Sequence, residues 1–506
     1  MNTQKLSRRQ FLIAAAAAFG GTVLSACKAK SQTPIIIKET VEVPSEKIVK
    51  ETSVVTSVVK ETSVVKETSV VKETVESVSV VTATPPPAKV TQILMWDDTY
   101  APTDAGTPGA KVADAMHAEF FAQHPEVKID FQPVTSGTEI RKAFISAHAA
   151  GNAPDLFYTY PPSMNPYWDQ GFLLQMDDYV NNWQYKDKVV EALWYDALID
   201  DHYFGIPSDF YGMCLVWRKD LFATEGLTAA PKNWDELATF GQKLTHPDKK
   251  QYGFGLLGMA WASWYYENFI WQAGGEVTKR LPDKTIELSF TDDAGVQALQ
   301  FYQDLKFKYQ ITQENVLQDY DANVKDFEAG RTTMWMSANT SAPGFINDGM
   351  TMEQLGYTTL PAGPTGVQAA QIGGGYWTIN AAANKDRQDA AWTYAAWRTD
   401  PNTWISRWQK ENEFGQPPSP WLPVYKGILN QAEWQDVPQE WVDVSNGTAK
   451  IARTEYIFKD KLEPYFAAPV QTVLTDSKAD CKTVLVEAAK KMAAEIEGTV
   501  LAASAK

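Results

Sequence analysis

The 506-residue chain has only three cysteines, Cys27, Cys214 and Cys481. That number excludes a disulfide framework, leaves no cysteine cluster with metal-ligand spacing, and makes Cys214 and Cys481 two expected buried thiols. Its five histidines, at 117, 124, 148, 202 and 246, also lack metal-ligand spacing, so no metal site and no cofactor is expected. No Gly-x-Ser-x-Gly nucleophile turn and no Walker phosphate loop occurs, which argues against acyl transfer and nucleotide hydrolysis. The apolar run from Phe11 to Phe19 is too short to span a bilayer core of about 30 Å. Basic residues are in deficit, 46 Lys and Arg against 62 Asp and Glu, and the net charge of -16 argues against nucleic acid and anionic lipid as partners. Residues 28 to 88 contain neither glycine nor any aromatic.

What is present begins with an address. Ser7-Arg8-Arg9-Gln10-Phe11-Leu12 resembles a twin-arginine export signal, and Leu24-Ser25-Ala26-Cys27 resembles the lipobox of bacterial lipoproteins. Residues 1–26 are therefore expected to be a removed signal peptide. Cys27 is expected to carry a lipid that holds the chain to the cell membrane, facing the periplasm or exterior. Removal takes Lys5, Arg8 and Arg9 and no acid, moving the charge from -16 to -19. Lys-Glu-Thr-Ser-Val-Val then recurs at positions 50, 60 and 66, with a decayed copy from Lys72. A six-residue period fits neither a heptad nor a solenoid, so residues 27–89 read as a disordered, solvated, lipidated tether.

From about Val90 the pattern changes. Ile93-Leu94-Met95-Trp96, Val127 to Phe131 and Asp155 to Tyr158 read as strands, alternating with helical stretches at Val112 to His124 and Thr138 to Ala150. That alternation implies βαβ units and a mainly parallel sheet in an α/β fold, with ligand clefts at the strand ends. Asn233-Trp234-Asp235-Glu236 has capping-box spacing and opens a helix to about Leu244; Thr291-Asp292-Asp293 opens another carrying Val296, Leu299 and Leu305. The roughly 417 residues after the tether exceed what one core usually supports, so two lobes are expected.

Seven blocks carry a family likeness. They are Ala149-Ala150-Gly151-Asn152-Ala153-Pro154-Asp155-Leu156, Gly171 to Tyr179, Tyr203 to Pro207, Trp217 to Phe222, Pro231 to Leu237, Phe327 to Met334 and Gly373 to Ile379. In this order they resemble the extracellular solute-binding proteins (family 1) of carbohydrate ATP-binding-cassette importers, over nearly everything from about residue 90 onward. The resemblance implies a two-lobed, periplasmic-binding-protein-like (type II) fold with hinge crossovers that closes on a solute. It puts lobe 1 at 90–206 plus 357–408 and lobe 2 at 207–356 plus 409–506. The implied activity is capture of an extracellular carbohydrate by a monomer and its delivery to the transmembrane subunits of a permease. Departures occur at Trp217-Arg218, where the family commonly has Tyr-Asn, and at Pro161-Pro162 in place of more polar residues.

Sugar sites need flat apolar faces for ring C–H groups and charged or amide groups for hydroxyls. Aromatics are 12% of the chain, with 18 Trp, more than a core of this size needs. Trp96, Asp97 and Asp98 end the first expected strand; a helix cap or turn is the alternative for the two acids. Tyr160 follows the third strand, where the family has an aromatic wall and where core packing competes. Asp209 and Tyr211 lie at the first crossover, matching family positions that offer polar groups. The likeness puts an aromatic platform near Trp264, although the Trp-rich stretch also fits an inward-packed helix. Asn339 ends a strand and is a loop residue or a hydroxyl partner. Tyr376 and Trp377 follow three glycines that permit close backbone approach or mark a bulge. The rival readings are a binding protein for a peptide or polyamine, which acidic cleft residues would suit, and a surface carbohydrate-active enzyme using paired carboxylates such as Asp97, Asp98 and Asp209.

Overall fold

The computed structural model describes residues 89–97, 106–133, 138–259, 261–281 and 285–496. The chain divides into two units, Met1–Thr82 and Ala83–Lys506. The signal peptide, Cys27, all but the last residue of the tether, and Asp98 lie outside the described residues.

The second unit opens with β1 (Thr91–Asp97), α1 (Pro108–Gln123), β2 (Val127–Pro133), α2 (Thr138–Ala150) and β3 (Leu156–Thr159), followed by α3 (Pro161–Asp169). Local chemistry sets these boundaries. Thr107 caps α1 by accepting from the Ala110 amide at 3.2 Å, and Pro108, whose missing N–H costs nothing there, takes the first helical position. Both β2 and β3 pair in parallel with β1. Every residue of β3 is buried, as a strand covered on both faces requires.

A 13-residue strand follows, β4 (Ile206–Arg218). Next come α4 (Trp234–Leu244), α5 (Ala262–Gln272), α6 (Asp293–Phe307), β5 (Met334–Ala338) and β6 (Leu355–Thr359). Asn233 caps α4 through the Glu236 amide at 2.9 Å, while the Glu236 carboxylate returns to the Lys232 amide at 2.8 Å, one residue before the expected capping-box partner. Asp292 caps α6 through the Gly295 amide at 3.0 Å. The chain ends with β7 (Ala370–Ile379), α7 (Lys385–Arg398), α8 (Pro401–Phe414), α9 (Gln439–Lys450), α10 (Lys459–Thr475) and α11 (Cys481–Ile496).

One sheet joins these elements in the order β6-β4-β7-β3-β1-β2, with β5 also on β4. The expected parallel pairing holds for β1, β2 and β3 and for the two-residue strand Ala452–Arg453 against β7, but not for the rest of the sheet. β7 is antiparallel to β3 and to β4, and β4 is antiparallel to β5 and β6, because β4 and β7 run in opposite directions between two cores. The first core holds buried residues from Ile93 to Phe210 and from Ile372 to Tyr425; the second runs from Met213 to Ala370 and from Val437 to Met492. Tyr357 and Leu360 thus pack in the second core, since β6 pairs with the far half of β4, and Leu422 to Tyr425 pack in the first, where the Leu422 amide donates to Phe210 O at 3.0 Å. Cys214 and Cys481 are buried, unbridged thiols. No helix among the described residues is long and apolar enough to cross a membrane.

Candidate functional site

The two cores meet where β4 and β7 cross, and three glycines shape that junction. Gly373 lies opposite Tyr211, Gly374 opposite Phe210, and the register shifts before Tyr376. A methyl group on Gly373 would sit 2.2 Å from Cζ of Tyr211, and one on Gly375 would sit 2.7 Å from the Tyr158 ring. Gly374 has φ +127°, a conformation costly for any residue with a Cβ. The glycines therefore form a bare floor on which two tyrosine rings rest. The Tyr158 hydroxyl donates to Asp209 Oδ1 at 3.0 Å, and the half-buried Tyr160 ring meets Tyr158 edge-on at 5.3 Å. Tyr211 is half-buried at the changeover between cores.

From the second core a longer aromatic arc arrives on α5. The helix has all eleven residues buried, which fits the inward-packed reading of the Trp-rich stretch. Trp264 meets Tyr265 edge-on at 5.5 Å, Tyr265 stacks 6.3 Å from Trp335, Trp335 lies 5.4 Å from Tyr320, and Tyr320 lies 5.7 Å from Trp261. Burial drives the Tyr265 phenol well above its usual range, and Tyr320 and Tyr211 push it further. The Trp261 end of the arc is open: Trp261 is 51% exposed, beside exposed Met259 and Leu317, and holds φ +69° just before the first residue of α5. A left-handed tryptophan costs on the order of 1–2 kcal/mol, strain of a kind that collects at functional sites. The Lys459 ammonium lies 5.8 Å from the Trp264 ring centre.

Of the residues singled out from sequence, the fold brings Tyr160 and Asp209 together through Tyr158, and Tyr211 packs half-buried against the second core, which also holds Trp264. The others go elsewhere. Trp96 is buried in the first core, donating to Gln132 Oε1 at 3.2 Å, and Asp97 is the last residue of β1. Asn339 is fully buried and already occupied: its Oδ1 accepts from the Gly212 amide at 3.0 Å, and its Nδ2 donates to Pro420 O at 2.5 Å and Ser445 Oγ at 2.7 Å. Tyr376 and Trp377, both 0% exposed, pack against Phe210 and against Tyr158 and Tyr394, because a strand inside a two-sided core buries both of its alternating faces. Trp261 is the exposed ring, three residues before the expected platform. The only local signal was a tryptophan where a capping Ser, Thr or Asp would normally stand.

Flat rings beside a carboxylate suit binding of a small polar molecule. Among the described residues no group of three or more His, Cys, Asp or Glu is placed to hold a metal ion. The sequence profile of the bacterial extracellular solute-binding proteins matches residues 104–402. The chain belongs to that family. As a solute-binding protein it is 26% identical over 251 residues to a binding protein of Brucella abortus, a match covering 49% of this chain and 59% of the relative's length. A Thermotoga lettingae solute-binding protein bound with alpha-D-tagatose aligns with TM-score 0.66 and 20% identity, over 80% of this chain and 99% of the other. A Mycobacterium tuberculosis protein in complex with glycerophosphocholine aligns with TM-score 0.68 and 17% identity, over 80% and 98%. These likenesses show that the solute-binding protein has the two-lobed periplasmic-binding fold.

Proposed function

We propose that this protein is the solute receptor of an ATP-binding-cassette importer and that its solute is a carbohydrate, held at the crossover between the two aromatic arcs. The observation that carries the reading is the half-exposed, strained Trp261 at the open end of a ring array that runs back to Trp264. Ring C–H faces of a sugar stack on such aromatics, and the Tyr158–Asp209 pair offers acceptors to hydroxyls. The tagatose-bound relative supports a sugar. The glycerophosphocholine-bound relative favours a second reading, because the same rings also receive a quaternary ammonium group.

The two cores act as the lobes of a clamp, with β4 and β7 as hinge strands, and the closed clamp presents solute to the permease subunits. Export by the amino-terminal signal and a lipid on Cys27 would keep the receptor near that permease at raised local concentration. A Cys27→Ala protein then binds solute normally but leaves the membrane fraction.

A thermal-shift screen against tagatose, maltose, maltotriose, mannitol and glycerophosphocholine tests the solute class. A ligand at a hundred times its Kd adds about 2.7 kcal/mol of stability. The expected result is stabilisation by at least one sugar, with affinity falling at least about tenfold in Trp261→Ala and Tyr211→Ala. Stabilisation by glycerophosphocholine alone would replace the sugar reading with the second one. Unchanged sugar affinity in both variants would remove the site from the crossover.

A further inference from the structure

Two consecutive prolines, Pro161 and Pro162, take the first two positions of α3. Tyr160, whose ring ends the first-core arc, is the N-cap of that helix and makes no side-chain cap. Both prolines line the space between the lobes, a cavity of about 620 Å³ whose second-core wall includes Glu276, Arg453 and Glu455. The helix therefore starts next to a residue of the solute site and lines the cleft with its first turn.

The start of a helix normally carries free backbone N–H groups, which together with the helix dipole make a ready anion site. At α3 the first three helical positions offer none. Pyrrolidine rings stand in place of the N–H groups of Pro161 and Pro162, and the Ser163 amide already donates to Tyr160 O at 2.9 Å. What remains is ring methylene, which packs on sugar C–H groups and donates nothing.

The opposite wall does not make up the loss. Arg453 is held by Glu276, Lys459 by Glu455, and the other basic residue of the lining, Lys279, is exposed to solvent. A phosphate or carboxylate entering the cleft gives up its water and meets neither backbone donors nor an uncommitted guanidinium, a penalty that falls on charged groups far more than on hydroxyls.

We propose that Pro161 and Pro162 are specificity-determining residues that restrict the receptor to uncharged sugars and polyols and exclude sugar phosphates and sugar acids. The inference rests on the reading that the solute is a carbohydrate, and it goes further by ruling out phosphate-bearing ligands, glycerophosphocholine among them.

The test is calorimetric titration of the full-length protein with matched pairs: glucose and glucuronate, maltose and maltobionate, mannitol and mannitol 1-phosphate. At least one neutral member should bind saturably, and its anionic match at least about thirtyfold more weakly. Pro161→Ala/Pro162→Ala restores two donors at the helix start, and should strengthen the anion at least about tenfold while moving the neutral ligand less than about threefold. Pro166→Ala is the control: its restored N–H is taken up by Pro162 O within the helix, so both affinities should stay as in wild type. Circular dichroism checks folding, and Pro162→Ala alone makes the same comparison with one donor if the double variant unfolds. Equal or tighter binding of the anionic member by wild type overturns the proposal. So does an anion-to-neutral ratio that the double substitution leaves unchanged, or that Pro166→Ala shifts as far. In each of these cases a bound neutral sugar still upholds the carbohydrate reading, whereas binding of no sugar in either form overturns both.

Discussion

Placing a methyl group on each glycine of the β7 triplet separates a floor from a packing contact. At Gly373 the new atom would lie 2.2 Å from Cζ and 2.3 Å from Oη of Tyr211, both at the free end of a half-buried side chain. The ring can swing away, so Gly373→Ala should cost only about 1 kcal/mol, the scale of one off-rotamer side chain. At Gly374 the nearest atom is the Asp209 carbonyl at 2.2 Å with φ +127°, and at Gly375 it is the Thr159 carbonyl at 2.5 Å. These are main-chain atoms of paired strands, which cannot move without opening the sheet. Gly374→Ala and Gly375→Ala should each cost about 3 kcal/mol or more. Urea unfolding followed by tryptophan fluorescence reads all three, each also measured in a Tyr211→Ala background. The cost at Gly373 should vanish in that background, a coupling of about 1 kcal/mol, while the costs at Gly374 and Gly375 persist. Equal costs across the triplet, or a Gly373 cost indifferent to Tyr211, would refute the floor.

Three further outcomes are expected. Trp261→Gly should be about 1 kcal/mol more stable than Trp261→Ala, because only glycine relaxes at φ +69°, yet both should bind solute equally weakly; equal stabilities in chemical denaturation would show that the left-handed conformation carries no strain. Asn339→Ala should cost about 3 kcal/mol by leaving the Gly212 amide unpaired, without changing solute affinity in the folded fraction; a titration showing lost affinity at normal stability would return Asn339 to the solute site. Burial, with the Glu455 charge second, raises Asp196 from 3.8 to about 7. The folded protein then holds a proton that the unfolded chain has released, so stability falls as pH rises from about 4 to about 7. Asp196→Asn removes that slope and gains up to about 4 kcal/mol at pH 8 over its effect at pH 4. Melting temperatures at pH 4, 6 and 8 measure it, and a difference independent of pH would contradict the buried assignment.

The local grammar of this protein was legible in the chain. Asn233, Asp292 and the β1-α1-β2-α2-β3 alternation fall within a few residues of where caps and periodicity put them, because a cap or an amphipathic stretch depends on neighbours one turn away. The seven family blocks also sufficed to name the fold. Pairing direction and burial were not legible. Tyr376-Trp377 and Asn339 look like ligand residues in sequence, but whether an aromatic beside glycines faces a cleft or a core depends on which strands flank it. β3 and β4 flank β7 and put Tyr376 and Trp377 inside the first core. Trp264 and Trp261 are three residues apart on one Trp-rich segment, and only the packing of α5 into the second core decides that the first is buried and the second open. Sequence alone fixed what can be determined within a turn or a strand; the tertiary structure decided which rings meet solvent, because burial is a property of contacts between residues far apart in the chain.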